Sequence, residues 1–540
     1  MNVNRSTSFL RTQSGQALVA VAMFCGIAAL LLVSILTWAG NQGRLARREQ
    51  EYLMAQYVAE AGTEKVISSI RNCLYSTGQT PGTATLTLFS TNCLPGSSDN
   101  SLFSSYRFVT TGGTSNQISI TTNAASLSAI SSGTYSGLNA LVTSYTITAR
   151  ANSFNRPVNL TTGVRRVLQI QGIPIYQFAV FYQGVLEIMP GDTMTINGSI
   201  HCNNTMYLSP NPGVVLTIDG NTTAVGGINN NPPANLIYSG SSYDGTRATP
   251  VYDGTVTADA GSLNLPIASN TGDAILDPPP GSGSDSISSE RLYNQAGLVI
   301  KVSNSGISAV NGSGSTVTLN SSVITTTNTM YDNREGKTIS LTQIDIGNMI
   351  SHSEVPANGI IWVEDTRTSP EETAIRLTDG ATLPAGGLTV ATPNPLYIWG
   401  NYNTPGDVPA SILSDALDIL SSSWRDSNSS LDISHRVASS TTINTAIYTG
   451  NVPTTSESYS GGLENLPRLL EDWSSATLTY KGAMICMFNS VYATGAWTNA
   501  DYNPPTRNWS FDTQFLTSST LPPGTPSVQT IARAAWAATD

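Results

Sequence analysis

The chain has 540 residues, of which only 11% are charged, and its formal net charge is −11. Soluble domains usually carry about 25% charged residues, so a helical protein with a salt-bridged surface is disfavoured. Binding to nucleic acid needs clustered Lys and Arg, and only 25 of these residues are spread along the chain. We therefore predict no nucleic-acid partner. Few charges together with abundant Gly, Ser, Thr and Asn favour β-structure with many turns.

An uncharged segment near the N-terminus dominates the hydropathy pattern. Residues 17–39 carry no charge, and a helix of this length would extend about 34 Å, enough to cross a membrane. Further on, Leu53, Tyr57 and Ala61 recur at helical spacing. We predict one transmembrane and amphipathic helix over 16–72. Its polar half would pack on a β domain or on neighbouring helices, with a plain stalk as the alternative.

Two short motifs mark this helix. The first is Gly15-Gln16-Ala17-Leu18-Val19, and the second is Ala59-Glu60-Ala61-Gly62-Thr63-Glu64. Together they resemble the N-terminus of the PilX-type minor pilins, a group of type IV pilin-like proteins. The resemblance implies that residues 1–15 are a leader, which prepilin peptidase removes by cutting between Gly15 and Gln16, and that the new N-terminus is methylated. It also implies assembly with other pilin or pseudopilin subunits through the helix.

One position departs from the pilin pattern. Most major pilins carry glutamate as the fifth mature residue, and this chain has Ala20 there, so the resemblance favours a minor or tip subunit. It implies a single-pass protein of the bacterial inner membrane with its body in the periplasm, or a subunit of a surface pilus. The flanking charges mildly favour the opposite orientation, because Arg44, Arg47 and Arg48 follow the apolar run. We give the resemblance more weight.

Residues 73–175 change from helical spacing to alternation. Thr-rich and Ile-rich runs with period two predict strands at 83–89, 117–122, 144–149 and 166–170. By the resemblance, this region is a β-rich pilin-like head, with a terminal hairpin over 142–171. Cys73 and Cys93 bracket a loop at its start, and we predict a disulfide between them if the body is exported.

Short apolar runs separated by Gly, Asn or Asp fill residues 176–455. Their spacing predicts a right-handed parallel β-helix, which is a solenoid, and a β-sandwich is the alternative. We predict insertions near 229–290 and 403–445, where 409–420 is compatible with a helix. An open solenoid end exposes strand edges, so we predict that 456–540 form a C-terminal cap. A helix in this cap would present four large side chains on one face: Leu466, Leu469, Leu470 and Trp473.

No constellation in the sequence predicts catalysis or metal binding. Glu364 and Asp365 form an adjacent acidic pair in the strand-rich body, but neighbours on a strand point to opposite faces and cannot converge on one glycosidic bond. The same geometry argues against His201 and Cys202 as joint metal ligands. We therefore predict a non-catalytic protein with no cofactor and no metal.

These observations predict a non-catalytic minor-pilin-like subunit of a type IV pilus or related assembly. Its N-terminal helix would anchor it, and its β-solenoid would be displayed for surface interaction or adhesion, with a surface glycan or protein as ligand. The alternative is a membrane-anchored β-helix protein that binds or cleaves glycans. N-terminal processing separates the two, because only the first requires the mature chain to begin at Gln16.

Overall fold

A long N-terminal helix followed by a large β-rich body is the architecture of the computed structural model, as the sequence predicts. The structure describes residues 13–113, 116–154, 156–237, 246–281, 284–368, 371–498 and 500–539. Helix α1 is continuous over Gln13–Thr77, which confirms the predicted long helix. Residues 1–12 of the predicted leader lie outside the described residues.

The head is an antiparallel sheet with one further helix, α2, over Thr83–Asn92. Its first strands are β1 Tyr106–Phe108, β2 Ser119–Thr122, β3 Ser126–Ala129, β4 Asn139–Ser153 and β5 Thr161–Pro174. The long strand β4 pairs with β5 along one edge and with β1, β2 and β3 along the other. Three of the four alternating runs predicted in this region therefore overlap strands, namely β2, β4 and β5.

The strand predicted at 83–89 is wrong, because these residues belong to α2. Alternating Thr and Leu suits a strand, but the buried positions of the segment are Leu86 and Ser90, which share one face of a helix. Gly82 starts the helix, and its carbonyl accepts a hydrogen bond from the Leu86 N–H at 3.0 Å. Packing of this face against α1 and β2 overrides the local alternation.

Residues 175–526 form the β body, which consists of two chain segments joined by a crossing segment, 258–297. The first segment contributes β6 Val180–Tyr182, β7 Leu186–Ile188, β8 Met194–Ile196, β9 Ile200–Cys202, β10 Met206–Leu208, β11 Leu216–Ile218, β12 Thr222–Ala224, β13 Ile228–Asn229, β14 Val251–Tyr252 and β15 Val256–Thr257. The crossing segment carries the short helix α3, Leu292–Gln295.

The second segment contains more strands and a short helix, α4, over Ile346–Ser351. Its strands are β16 Leu298–Ser303, β17 Gly306–Asn311, β18 Thr316–Val317, β19 Ile324–Asp332, β20 Lys337–Asp345, β21 Ile360–Asp365, β22 Glu372–Thr378, β23 Leu388–Ala391, β24 Leu396–Trp399, β25 Ala410–Ser414, β26 Leu417–Leu420, β27 Thr441–Asn444, β28 Ala446–Asn451, β29 Pro467–Leu469, β30 Thr477–Gly482, β31 Met484–Asn489 and β32 Thr506–Phe511.

The strands of the β body pair mainly in parallel. In the first segment every third strand pairs, so that β6, β9, β12 and β15 share one sheet, β7, β10 and β13 a second, and β8, β11 and β14 a third. Among the described residues of the body, antiparallel ladders occur only in the β16–β18 and β19–β20 hairpins. Parallel stacking does not fit the antiparallel sandwich that was the alternative. The right-handed parallel β-helix stays a prediction.

The order of the strands in the shared sheet differs from their order in the chain. Strand β31, near the end of the second segment, pairs in parallel with β6 at the start of the first, with Met484 opposite Val180 and Cys486 opposite Tyr182. The chain therefore enters the stack in its middle and runs to one end at β15. It then crosses back and returns from the opposite end at β16. We call the β6–β31 junction the seam.

Both predicted insertions contain strands of the stack. Within 229–290, β14 and β15 pair in parallel with β11 and β12. Within 403–445, the helix-compatible stretch 409–420 forms β25 and β26 instead. Asp415 in this stretch has a partner from a distant part of the chain: its carboxylate accepts a hydrogen bond from the Val491 N–H at 2.8 Å. Asp415, which fits the helical spacing of the sequence, therefore lies at the corner between β25 and β26.

The predicted C-terminal cap over 456–540 is wrong. Its four large side chains are buried in and around β29 and not on a helix: Leu466, Leu469, Leu470 and Trp473. This part of the chain needs no cap, because β6 covers the edge of β31. The last strand, β33 Ser527–Thr539, leaves the body and pairs antiparallel with β5. The hairpin over 142–171 is therefore not terminal, since β33 forms the outer edge of the head sheet.

The seam predicts that the two body segments stay together when their connection is cut. We expect cleavage at a protease site inserted after Gly281, an exposed residue of the crossing segment, to leave a particle of unchanged size in native size-exclusion chromatography. The reason is that the buried core is continuous across the seam and that β33 of one fragment pairs with β5 of the other; denaturant should then separate the fragments. A site inserted after Gly40, in the exposed part of α1, is the matched control and should release the body directly. Separation of the Gly281-cut fragments without denaturant would contradict the seam.

Candidate assembly interface

The first half of α1 projects away from the rest of the molecule. Its large apolar side chains from Leu18 to Trp38 are all exposed, and Phe24 is 78% exposed. The helix is long and apolar enough to cross a membrane, with a mean hydropathy of 2.8 in its most apolar window and none of that window buried. A helix that is apolar on all sides is stable only when it is surrounded by lipid or by other apolar helices.

The head contacts α1 only from its middle onwards. Every described residue from 15 to 50 is exposed, whereas Glu51 is 6% exposed. The Glu51 carboxylate accepts hydrogen bonds from Arg156 Nε at 2.9 Å and from the Tyr106 hydroxyl at 3.5 Å. Burial raises the pKa of Tyr106, so this hydroxyl stays protonated and donates to Glu51. This buried contact marks where the free part of α1 ends.

The second half of α1 packs on the head sheet through an apolar stripe beside the predicted line, on which Leu53 and Tyr57 are 43% and 61% exposed. Five residues of the stripe are buried against β1, β4 and β5: Ala55, Val58, Ala59, Val66 and Ile70. The closest approach is at Gly62, where a Cβ atom would lie 2.8 Å from Phe108 Cε1 and 3.0 Å from Ile118 Cδ1. Glycine therefore lets the helix backbone approach the sheet more closely than any other residue would.

The two glutamates of the same motif bind arginines of the sheet. Arg166 on β5 forms ion pairs with Glu60 and with Glu64, the second at 2.6 Å. Arg533 on β33 forms two parallel hydrogen bonds to Glu64 at 2.8 Å. These side chains are partly exposed, so water weakens each pair, and their main effect is to fix the orientation of the helix. Residues 59–64 thus form a mount that holds α1 on the head.

The predicted processing residues lie in the free part of α1. Gly15 and Gln16 are exposed within the helix, and cleavage between them stays a prediction. Ala20 is exposed as well and places no carboxylate near the start of the helix. The free apolar segment is therefore uncharged from its first turns onwards.

The predicted disulfide between Cys73 and Cys93 is not formed in the structure, where both are free thiols. Cys93 Sγ lies 3.0 Å from Ser69 Oγ, so it contacts α1 one turn before Cys73. Cys73 Sγ lies 4.0 Å from Thr77 Oγ1 on the same helix. The residues between the two cysteines form α2 rather than an open loop, and this helix sets where Cys93 approaches α1.

The acidic pair Glu364–Asp365 and the pair His201–Cys202 of the body make structural contacts. Asp365 is buried and forms an ion pair with Arg367 at 2.7 Å, while its neighbour Glu364 is half-buried. His201 is buried with Cys202 on the same strand, and both of its ring nitrogens are hydrogen-bonded, at 2.8 and 2.9 Å. Burial lowers the pKa of His201 to about 4, so the ring is neutral. These contacts give Asp365 and His201 structural roles, and neither role involves a chemical reaction.

The arginines that bind the mount were not predicted as site residues. Arg166 stands in an alternating run of the hairpin, and an arginine on a strand that packs beside an acidic helix motif is a signal that could have been used. Arg533 gives no such signal, because it lies 469 residues from Glu64 in the chain. Only the return of β33 to the head brings the two together.

Comparisons with known proteins add little to this geometry. No family model matches the chain, and no curated protein matches it. Among solved structures, the competence-associated pilin ComZ from Thermus thermophilus aligns with 11% sequence identity over 90% of this chain and 97% of that chain, with a TM-score of 0.29. A TM-score this low carries no structural argument, so the interpretation of α1 and the head rests on the contacts described above.

The packing at Gly62 predicts that replacing Gly62 or Gly43, both in α1, with leucine has different effects on thermal stability. Replacement Gly62→Leu should lower the apparent unfolding temperature of the full chain by several degrees, because overpacking a buried contact costs about 1–3 kcal/mol. Gly43→Leu is the matched control: nothing lies within 4 Å of its Cβ position, and leucine improves helix propensity there. Thermal unfolding in detergent micelles measures both. Equal unfolding temperatures for the two variants would argue against a close helix–sheet contact at Gly62.

Proposed function

We propose that this chain is a minor-pilin-like subunit of a type IV pilus or related assembly, related to the PilX-type proteins. The observation that carries the proposal is the division of α1. Its first half is apolar and exposed on all sides, and its second half is fixed to a β-sheet head by the mount at 59–64. A helix divided in this way can lie in a membrane first and pack among other apolar helices later.

The position of the β body supports a place at the tip of an assembly. The body contacts the end of α1 that is distant from the apolar segment: at Gly78, a side chain would collide with the Pro266 carbonyl of the crossing segment. A large body at this end leaves the free part of α1 accessible to neighbouring helices. Ala20, in place of a glutamate, provides no docking charge towards a second neighbour. We infer a terminal or minor subunit rather than a repeating one.

The proposal includes the cellular location and the display role. We infer an inner-membrane precursor with its body in the periplasm, which prepilin peptidase processes before assembly with other pilin subunits. The β body, as a right-handed parallel β-helix, would then be presented for surface interaction or adhesion. We also infer that it is non-catalytic, since Asp365 and His201 are held in internal contacts. The glycan-cleaving alternative requires new reducing ends when the full chain is incubated with polysaccharide, and we expect none.

Processing of the N-terminus tests the proposal. We expect mass spectrometry of the membrane-extracted protein to find a chain that begins at Gln16 with a methylated amine. The variant Gly15→Leu should keep its leader, because the peptidase requires the small residue before the cut. Gly26→Leu is the control: Gly26 is another glycine of the apolar segment with nothing within 4 Å of its Cβ position, and this variant should be processed normally. A native protein that retains Met1 would favour a plain membrane anchor.

A further inference from the structure

A groove follows the seam on the outside of the β body. It consists of two adjoining cavities of about 520 and 370 Å³, a size typical of ligand sites. Both cavities are lined by Gln183, Thr271 and Met487, so they form one continuous feature. We call it the seam groove. It exists only because β6 and β31, at distant positions in the sequence, are neighbours and the crossing segment passes beside them.

A buried hydroxyl without a partner lines the seam groove. Tyr182, on β6, is 2% exposed, and its hydroxyl has no hydrogen-bond partner among the described residues. In folded proteins such a group is normally hydrogen-bonded, because an unpaired buried hydroxyl is destabilising. Burial raises the pKa of Tyr182 well above its usual value, so the hydroxyl stays a neutral donor and acceptor. This hydroxyl has less than 1 Å² of accessible surface, so a ligand in the groove would supply the missing partner once a side-chain rotation brings the hydroxyl to the cavity wall.

Two carboxyl groups line the same cavity. Glu187 is 4% exposed, and its Oε2 accepts a hydrogen bond from the Thr454 hydroxyl at 2.9 Å. Asp273, from the crossing segment, has a buried Oδ1 without a partner in the part of the chain that the structure describes. Burial raises the pKa of Glu187 to about 7, so near neutrality it can donate as well as accept a proton in a hydrogen bond. The cavity therefore offers several positions that suit hydroxyl groups.

The remaining lining selects the charge of the ligand. No Lys or Arg is among the described residues that line either cavity, so anions such as phosphate or uronic acids have no counter-charge. Side-chain amides of Asn451 and Asn489 and the ring of Phe488 complete the larger cavity. The amides and carboxyls match the hydroxyls around the edge of a sugar ring, and Phe488, which is 8% exposed, adds a small apolar part of the wall.

Two other ligand classes fit less well. Among the described residues, no group of three or more His, Cys, Asp or Glu side chains comes together to hold a metal ion. An extended peptide would need a free strand edge to pair with, but β6 and β31 already pair with each other and with β9 and β28. We propose that the seam groove binds a neutral glycan, with Tyr182, Glu187 and Asp273 hydrogen-bonded to its hydroxyls.

This inference deepens the proposed display function, but its test does not depend on pilus assembly. The full chain in detergent micelles is applied to an array of neutral oligosaccharides of glucose, galactose, mannose and N-acetylglucosamine, with uronic-acid and sulfated counterparts. The strongest ligand is then titrated by calorimetry. We expect a neutral glycan to bind and its affinity to fall at least tenfold in Tyr182→Phe and in Asp273→Asn. Failure here would leave the N-terminal processing result unaffected, so the two proposals fail separately.

Stability measurements separate a binding role from a structural one. Tyr182→Phe removes a hydroxyl that has no partner, so the unfolding temperature without ligand should stay the same or rise. Asp253→Asn removes an exposed carboxylate elsewhere on the body and should leave affinity unchanged. The proposal is overturned if no neutral glycan binds, if acidic glycans bind equally well, if Asp273→Asn binds like the native chain, or if calcium alone binds at the groove.

Discussion

The close contact between α1 and the head sheet at Gly62 is the constraint on which the other features depend. Because a Cβ atom there would meet Phe108 and Ile118, the helix backbone lies directly against the sheet. That approach brings Glu60 and Glu64 within reach of Arg166, and these ion pairs fix the rotation of the helix. The head holds α1 from Glu51 onwards, and the apolar half is left free for lipid or for other helices.

The connection between head and body follows from the same sheet. The chain leaves the head through β5 and returns through β33, and these strands pair with each other along most of their length. The head and body also share a continuous core, which includes Ile173 at the end of β5 and Val528 at the start of β33. A pull on the body is therefore carried by two paired strands and not by a single linker. This suits a body that is displayed at the end of an anchored helix.

The sequence predicts features that depend on local periodicity. Residues 17–39 carry no charge, which predicts a membrane-type helix, and the alternating runs of β4 and β5 are strands in the structure. Periodicity fails where one pattern fits two structures: the alternation at 83–89 became α2, and the helical spacing at 409–420 became two strands. In both cases tertiary burial decided the outcome, because Leu86 and Asp415 find their partners in distant parts of the chain.

Sequence periodicity does not indicate which strands become neighbours. The run at β6 has the same apolar pattern whether it pairs with β9, with β31 or with both, so the seam and the groove beside it are invisible in the sequence. The sequence indicates one half of the mount, the motif at residues 59–64, but not its partner Arg533, which comes from the last strand. The prediction of a C-terminal cap failed for the same reason, since 456–540 supply strands in the middle of the stack and an edge strand of the head.

The central claim is that the apolar half of α1 packs among the apolar helices of other pilin-type subunits after assembly. Site-specific photo-crosslinking from position 24, now Phe24 and 78% exposed, tests it most directly in cells that are making pili. A probe at position 491, now Val491 and 68% exposed on the β body, serves as the control. We predict that position 24 crosslinks to the N-terminal helices of pilin-type subunits and that position 491 does not. Lipid adducts alone at position 24 would contradict the claim and leave α1 as a membrane anchor.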